Sequence, residues 1–157
     1  AFERSDAAGV HDVRYFRIPI EDQIGEDIVS KVNWLALSIS WMEAALRKPD
    51  ARLLIHCGLG VSRSSTFLMA FLMHADRLTA SQALRQIQAA RPFAGPGAGF
   101  MEQLLGLERK WGLVAAGTSS LELWSYMEAE SAEAWAASYA AKREWFPWGV
   151  TCPWCHE

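Results

Sequence analysis

The stretch Leu53-Leu54-Ile55-His56-Cys57-Gly58-Leu59-Gly60-Val61-Ser62-Arg63-Ser64-Ser65 decides the fold. Three apolar residues lead into a His-Cys pair, five residues separate Cys57 from Arg63, and a nearly all-apolar helical run follows over 64–75. That order is the order of a strand, a tight loop and the first turns of a buried helix. Two glycines let the loop backbone take positive φ, so that successive N–H groups can turn inward around an anion. The helix adds its own unpaired N–H groups and the positive end of its dipole. A cysteine at the mouth of such a site has its thiolate stabilised by the same donors. Arg63 offers a planar, two-pronged donor that fits two phosphate oxygens at once. The alternative is a buried strand-to-helix turn with Cys57 as a plain core thiol, which needs neither the glycines nor Arg63. A thiolate beneath an oxyanion cradle, with an arginine clamp, is suited to taking a phosphoryl group.

Outward from this stretch, a short apolar strand is expected over 52–55 and a long helical pattern before it, over about 27–46. In the latter, Ile28, Val32, Leu35, Ile39, Met42 and Leu46 recur at a spacing of three or four, which gives one buried stripe. A further strand is expected over 13–20, where Tyr15, Phe16, Ile18 and Ile20 are β-favouring and Pro19 marks an end or an edge. On the other side, a helix is expected over 79–90, capped by Thr79 or Ser81, with Leu84, Ile87 and Ala90 on one face. Arg91-Pro92-Phe93-Ala94-Gly95-Pro96-Gly97 breaks it, and a helix over 100–111 stops at Gly112. A strand, a helical crossover and a second strand imply a parallel pair within an α/β sheet.

The form His-Cys-x-x-Gly-x-Ser-Arg-Ser, here His56 to Ser64, resembles the signature loop of the cysteine-dependent protein phosphatases, and of the dual-specificity group in particular. Three further features resemble that family: Ile18-Pro19-Ile20-Glu21-Asp22, Ala83 together with Arg91-Pro92, and Gly99-Phe100-Met101-Glu102-Gln103-Leu104. The resemblance covers roughly residues 13–111 and departs at the front, where family members carry further strands and a helix. Either the sheet here is small, or the chain is truncated, or the tail compensates. The resemblance implies an α/β, protein tyrosine phosphatase-like fold with a small parallel-containing sheet flanked by helices, to which the tail's own residues add an appended C-terminal helix. Residues 1–117 would form the catalytic domain and 118–157 a tryptophan-rich tail.

It also implies roles. Cys57 is the expected nucleophile, forming a phosphocysteine intermediate. Backbone N–H groups of Gly58, Leu59, Gly60, Val61, Ser62 and Arg63, with the Arg63 guanidinium, hold the phosphate oxygens. His56 is expected to support the loop and the thiolate indirectly; its simpler reading is a structural imidazole. Ser64 matches the hydroxyl that assists departure of the thiolate, and its simpler reading is a first-turn serine satisfying local backbone. A leaving alkoxide or phenoxide needs a proton, and Asp22, 35 residues before the cysteine, matches the position of the family's general acid. Glu21, Glu26 and Asp27 are rivals, Asp27 being better placed to cap the following helix, and the simpler reading of Asp22 itself is a turn residue. No cofactor or metal is required by this route. The default substrate by resemblance is a phosphoprotein carrying phosphotyrosine, with or without phosphoserine and phosphothreonine. A loop without lysine at 58–61 weakens an inositol-lipid reading. The rival from another class is a phosphate-binding interaction module that recognises phosphoproteins without turnover.

Composition bounds these readings. At 157 residues, half of them hydrophobic, the chain is about one domain with enough apolar area for a core. A net charge of −3 with both signs scattered gives no basic stripe for nucleic acid, and no apolar run is long enough for a membrane span. Three cysteines are too few for a disulfide framework, and an unpaired reactive thiol fits a reducing compartment, cytoplasmic or nuclear. Five of the eight tryptophans lie after residue 120. A tail helix is expected over 118–146, opened by a Ser119-x-x-Glu122 capping box. Its candidate stripe of Leu121, Trp124, Met127, Trp135 and Tyr139 either packs on its own domain or meets a protein partner or a second copy. Cys152 and Cys155 form a Cys-x-x-Cys pair, half of a zinc site at most.

Overall fold

The computed structural model describes residues 13–129 apart from Lys31. It contains five helices among the described residues: α1 (Trp34–Leu46), α2 (Arg63–Ala75), α3 (Ala80–Ala90), α4 (Ala98–Lys110) and α5 (Leu123–Ala129). Helix α2 is the hub, packing against α1, α3 and α4. Its sequence explains this position. Phe67, Met69, Ala70 and Met73 are buried, and each large side chain withdrawn from water contributes about 1.5–3 kcal/mol. Its first turn is tied to the loop before it, since Thr66 Oγ1 and Ser65 Oγ donate to the Ser62 carbonyl at 2.9 and 2.8 Å. The Ser65 hydroxyl also reaches the Val61 carbonyl.

Around α2, helix α3 buries Ala83, Leu84 and Ile87 and opens with a reciprocal capping box between Thr79 and Gln82. Ala90, expected on the same face, is exposed. Helix α4 buries Phe100, Met101, Leu104, Leu105 and Leu107. It stops where Gly112 turns to φ +63°, and Arg77 Nη2 donates to the Trp111 carbonyl at 2.8 Å. Its Glu108 is fully buried and ties distant chain together. One oxygen accepts the Ala80 N–H at 2.7 Å and the Ser120 hydroxyl, and the other accepts Ser119 Oγ at 3.0 Å and the Ser120 N–H at 3.1 Å.

Three expectations are corrected. Helix α1 begins at Trp34 rather than near 27, because local side chains take the backbone donors first. Asp27 Oδ1 accepts from the N–H of Val29 at 3.0 Å and of Ser30 at 2.7 Å, closing a turn. It is Asn33 that caps the helix, through the Ala36 N–H. Ile28 is still fully buried, while Val32 and Leu46, also in the expected stripe, are exposed. Next, no strand occurs among the described residues. Along residues 51–57, Leu53, Ile55 and Cys57 are half-buried and Arg52, Leu54 and His56 are exposed, Leu54 by 81%. This is the period-two alternation of a strand. A ladder also needs a neighbour at hydrogen-bonding distance, and among the described residues only Arg14 takes part in a bridge. Finally, the Ser119–Glu122 capping box does not form, because the Ser119 hydroxyl is spent on Glu108 and the Leu121 carbonyl. The tail then enters α5 one turn later. Leu121, Leu123 and Tyr126 pack against the core, whereas Trp124 is 77% exposed and Met127 is exposed. Trp135, Tyr139, Cys152 and Cys155 lie outside the described residues.

Candidate active site

The cysteine loop wraps its donors around one sulfur. The Gly60 N–H donates to Cys57 Sγ at 3.2 Å, and Ser64 Oγ lies 3.4 Å from it. Burial pushes the Cys57 thiol up, but the Ser64 hydroxyl and the backbone N–H groups of Ser64, Val61 and Gly60 outweigh it, leaving the thiol more acidic than a free cysteine. The curl depends on Gly60, whose φ of +67° is open to glycine at little cost. Gly58 does not take positive φ. From the end of α3, Arg91 holds the loop's outer carbonyls: Nε donates to Gly60 O at 3.0 Å and Nη2 to Leu59 O at 3.1 Å. A hollow of about 550 Å³ opens on the side of α2 and α3, bordered by Cys57, Ser64, Leu68, Ile87 and Arg91.

Arg63 opens α2 with its guanidinium only partly satisfied. Nη1 donates to the Ile20 carbonyl at 3.4 Å, while the buried Nε has no hydrogen-bond partner among the described residues. A buried donor without a partner costs about 1–3 kcal/mol, so this nitrogen would gain from any acceptor brought to it.

The acid loop, residues 21–28, is fastened from two sides. Gln103 on α4 works as a clamp: Oε1 accepts the Ile28 N–H at 3.0 Å, and Nε2 donates to Glu26 O at 2.7 Å. Gly99 faces the loop backbone, where a Cβ would be in ordinary contact, 3.4 Å from Ile24 Cα. On the other side the Ser62 hydroxyl donates to Asp22 Oδ1 at 2.6 Å. The structure therefore joins Asp22 directly to the loop that carries Cys57 and Arg63. Asp27, by contrast, is engaged in its own turn, and Glu21 is exposed.

Cys57, Arg63, Ser64 and Asp22 thus fall on two adjoining loops and one helix start. His56 is exposed and does not figure among the groups acting on the thiol. Leu59 is exposed, and Val61 and Ser62 are buried. Among the described residues no cluster of three or more His, Cys, Asp or Glu could hold a metal ion. Sequence reasoning had no place for the Ser62 hydroxyl, Gln103 or Arg91 as struts. Only Arg91-Pro92 and Gln103 carried a signal, as parts of family-like stretches without an assigned task.

The family model described as "Dual specificity phosphatase, catalytic domain" matches residues 3–110. Human dual specificity protein phosphatase 13B is 42% identical over 100 residues, covering 64% of this chain and 48% of that protein. Bovine dual specificity protein phosphatase 26 is 36% identical over 98 residues, covering 62% of this chain and 44% of that protein. The chain therefore spans less than half the length of these two relatives. The crystal structure of human DUSP28 superposes with a TM-score of 0.54 at 32% identity, covering 59% of this chain and 62% of that one.

Proposed function

Since the chain belongs to the dual-specificity phosphatase catalytic-domain family, we propose that it hydrolyses phosphotyrosine, and with it phosphoserine and phosphothreonine, in protein substrates through a phosphocysteine intermediate. One observation carries this reading. An acidified Cys57 thiol, ringed by the donors of Gly60, Val61 and Ser64, is followed in the same loop by Arg63, whose buried Nε has no partner among the described residues. In the first step the Cys57 thiolate attacks phosphorus, an S–P bond forms, and the P–O bond to the leaving oxygen breaks. Asp22 gives that oxygen its proton, while Arg63 and the loop N–H groups hold the equatorial oxygens. In the second step Asp22 takes a proton from the attacking water, the S–P bond breaks, and the Ser64 hydroxyl, 3.4 Å from the sulfur, stabilises the departing thiolate.

The same reading takes 13–20 and 52–55 as the places of the family's parallel pair, supported by the alternating exposure over 51–57. A thiolate nucleophile works in a reducing compartment, cytoplasmic or nuclear. The test is hydrolysis of an aryl phosphate across pH by the wild type, Cys57→Ser and Asp22→Asn. We expect turnover by the wild type, none by Cys57→Ser, and loss in Asp22→Asn of the fall in kcat on the alkaline side that a proton donor imposes. A wild type that binds vanadate without turnover would make this a phosphate-binding module instead. Activity surviving in Cys57→Ser would sink the mechanism.

A further inference from the structure

Helix α5 plays no part in the chemistry above, yet one of its side chains leads straight to it. Tyr126 Oη donates to the Pro96 carbonyl at 2.6 Å. The next residue, Gly97, donates its N–H to Ser62 Oγ at 2.9 Å, and Ser62 donates to Asp22 Oδ1 at 2.6 Å. Four separate segments are joined in one line: α5, the 95–97 loop, the cysteine loop and the acid loop. We propose that Tyr126 is a positioning residue for Asp22, acting through the 95–97 loop and the Ser62 hydroxyl; the inference rests on the reading of Asp22 as proton donor.

The steric fit at both ends supports a built connection. A Cβ at Gly95 would lie 2.8 Å from Tyr126 Oη, so the ring reaches Pro96 because residue 95 has no side chain. A Cβ at Gly97 would lie 3.3 Å from Ser62 Oγ and 3.4 Å from Asp22 Oδ1. Two glycines thus give clearance on either side of a fully buried proline. Glycines also leave a backbone free to wander, and this one is tethered by Tyr126, by the Gly95 N–H on the Val61 carbonyl at 3.2 Å, and by the Gly97 carbonyl, which accepts from Phe100 and Met101 at 2.9 Å as α4 begins.

The relay fixes a proton as well as a position. A hydroxyl has one hydrogen and two acceptor sites. Because Ser62 Oγ accepts from Gly97, its own hydrogen is turned elsewhere, and it goes to Asp22 Oδ1. With Oδ1 held, Oδ2 is the oxygen left to carry and deliver the catalytic proton. Loosening Tyr126 lets the Pro96–Gly97 peptide tilt about its anchor on α4, weakens the Gly97 N–H bond that orients the Ser62 hydroxyl and blurs which oxygen of Asp22 faces the substrate.

The experiment compares kcat/KM for 2,4-dinitrophenyl phosphate, whose leaving group needs no proton, with phenyl phosphate, whose leaving group does. The proteins are the 157-residue wild type, Tyr126→Phe, Gly95→Ala, Asp22→Asn and the Asp22→Asn/Tyr126→Phe double variant. Tyr126→Phe keeps the ring and removes one hydroxyl. It should lose about threefold to tenfold on phenyl phosphate and nothing on the dinitrophenyl ester, a share of the roughly 10²–10⁴-fold that a placed proton donor supplies. Gly95→Ala, which displaces the same hydroxyl by steric pressure, should give the same selective loss. The double variant should be no slower than Asp22→Asn alone. An equal loss on both esters, no loss at all, or a further loss in the double variant overturns the proposal while leaving Asp22 as the acid. If Asp22→Asn itself slows both esters equally, the proton-donor reading falls, and the relay falls with it.

Discussion

The groups that acidify Cys57 lie within seven positions of it in sequence, whereas those that fasten the acid loop lie 40 to 77 positions away. One half of the site is a property of a short stretch of chain. The other is a property of the packed helices, because Gln103 and Ser62 reach residues 22–28 only once α4 and α2 have docked. A nucleophile can be shaped by its own loop, since backbone N–H groups and a neighbouring hydroxyl suffice. A proton donor has to be set at a chosen distance from another loop, and that distance is a tertiary quantity.

The contrast breaks most sharply at Arg63. Arg63→Lys keeps the charge and loses the fork, and kcat/KM should fall by roughly 10²–10³ on every aryl phosphate, whatever its leaving group. A smaller and equally uniform loss, about tenfold, is expected for Arg91→Ala, which lets go of the Leu59 and Gly60 carbonyls and disorders the donors rather than removing them. Gln103→Ala should also cost about tenfold, but on phenyl phosphate and not on the dinitrophenyl ester, because it frees Ile28 N–H and Glu26 O and hence the acid loop alone. If the last two variants show the same leaving-group pattern, the two halves of the site are not separable.

Finer still is Ser64→Ala. It removes the hydroxyl that lowers the Cys57 thiol, so the thiol should ionise at higher pH and the pH profile of its alkylation by iodoacetamide should shift upward. An unchanged profile would assign the acidity to the backbone N–H groups. Glu108 offers a control outside both loops. Burial pushes its carboxyl up, but the Ser120 hydroxyl and N–H, the Ala80 N–H and the Ser119 hydroxyl pull it further down, below an ordinary glutamate. It therefore stabilises the fold above the pH at which a free glutamate ionises, and this support is lost as pH falls through its lowered value. Glu108→Gln should flatten the acid side of the melting temperature plotted against pH.

The same division governs what the sequence revealed. The cysteine loop and α2 were legible because every needed residue stands in one run, with the turn glycines and hydroxyls in place. The position of Asp22 was legible by resemblance, but its partner was not: nothing in the order of residues says that Ser62, counted only for its backbone, would give its hydroxyl away. Helix α1 was overextended because an apolar stripe is visible in sequence, whereas the competition of Asp27 and Asn33 for backbone donors depends on local geometry. The segments 13–20 and 52–55, expected as strands, have β-favouring residues, and 51–57 alternates in exposure, but pairing is a relation between segments and cannot be read from either one. Ser119 was read as a helix cap because Glu122 is near in sequence; the buried Glu108, 11 positions earlier, won it in space.

The lone nitrogen of Arg63 has a thermodynamic side. Any tetrahedral oxyanion that satisfies this donor binds the folded chain and not the unfolded one, so its binding free energy adds to folding. At a hundred times its dissociation constant, phosphate or vanadate adds about 2.7 kcal/mol by mass action alone. Occupancy of the site is thus written into the melting curve, and the affinity for an oxyanion can be titrated by heat, without turnover and without knowing the substrate.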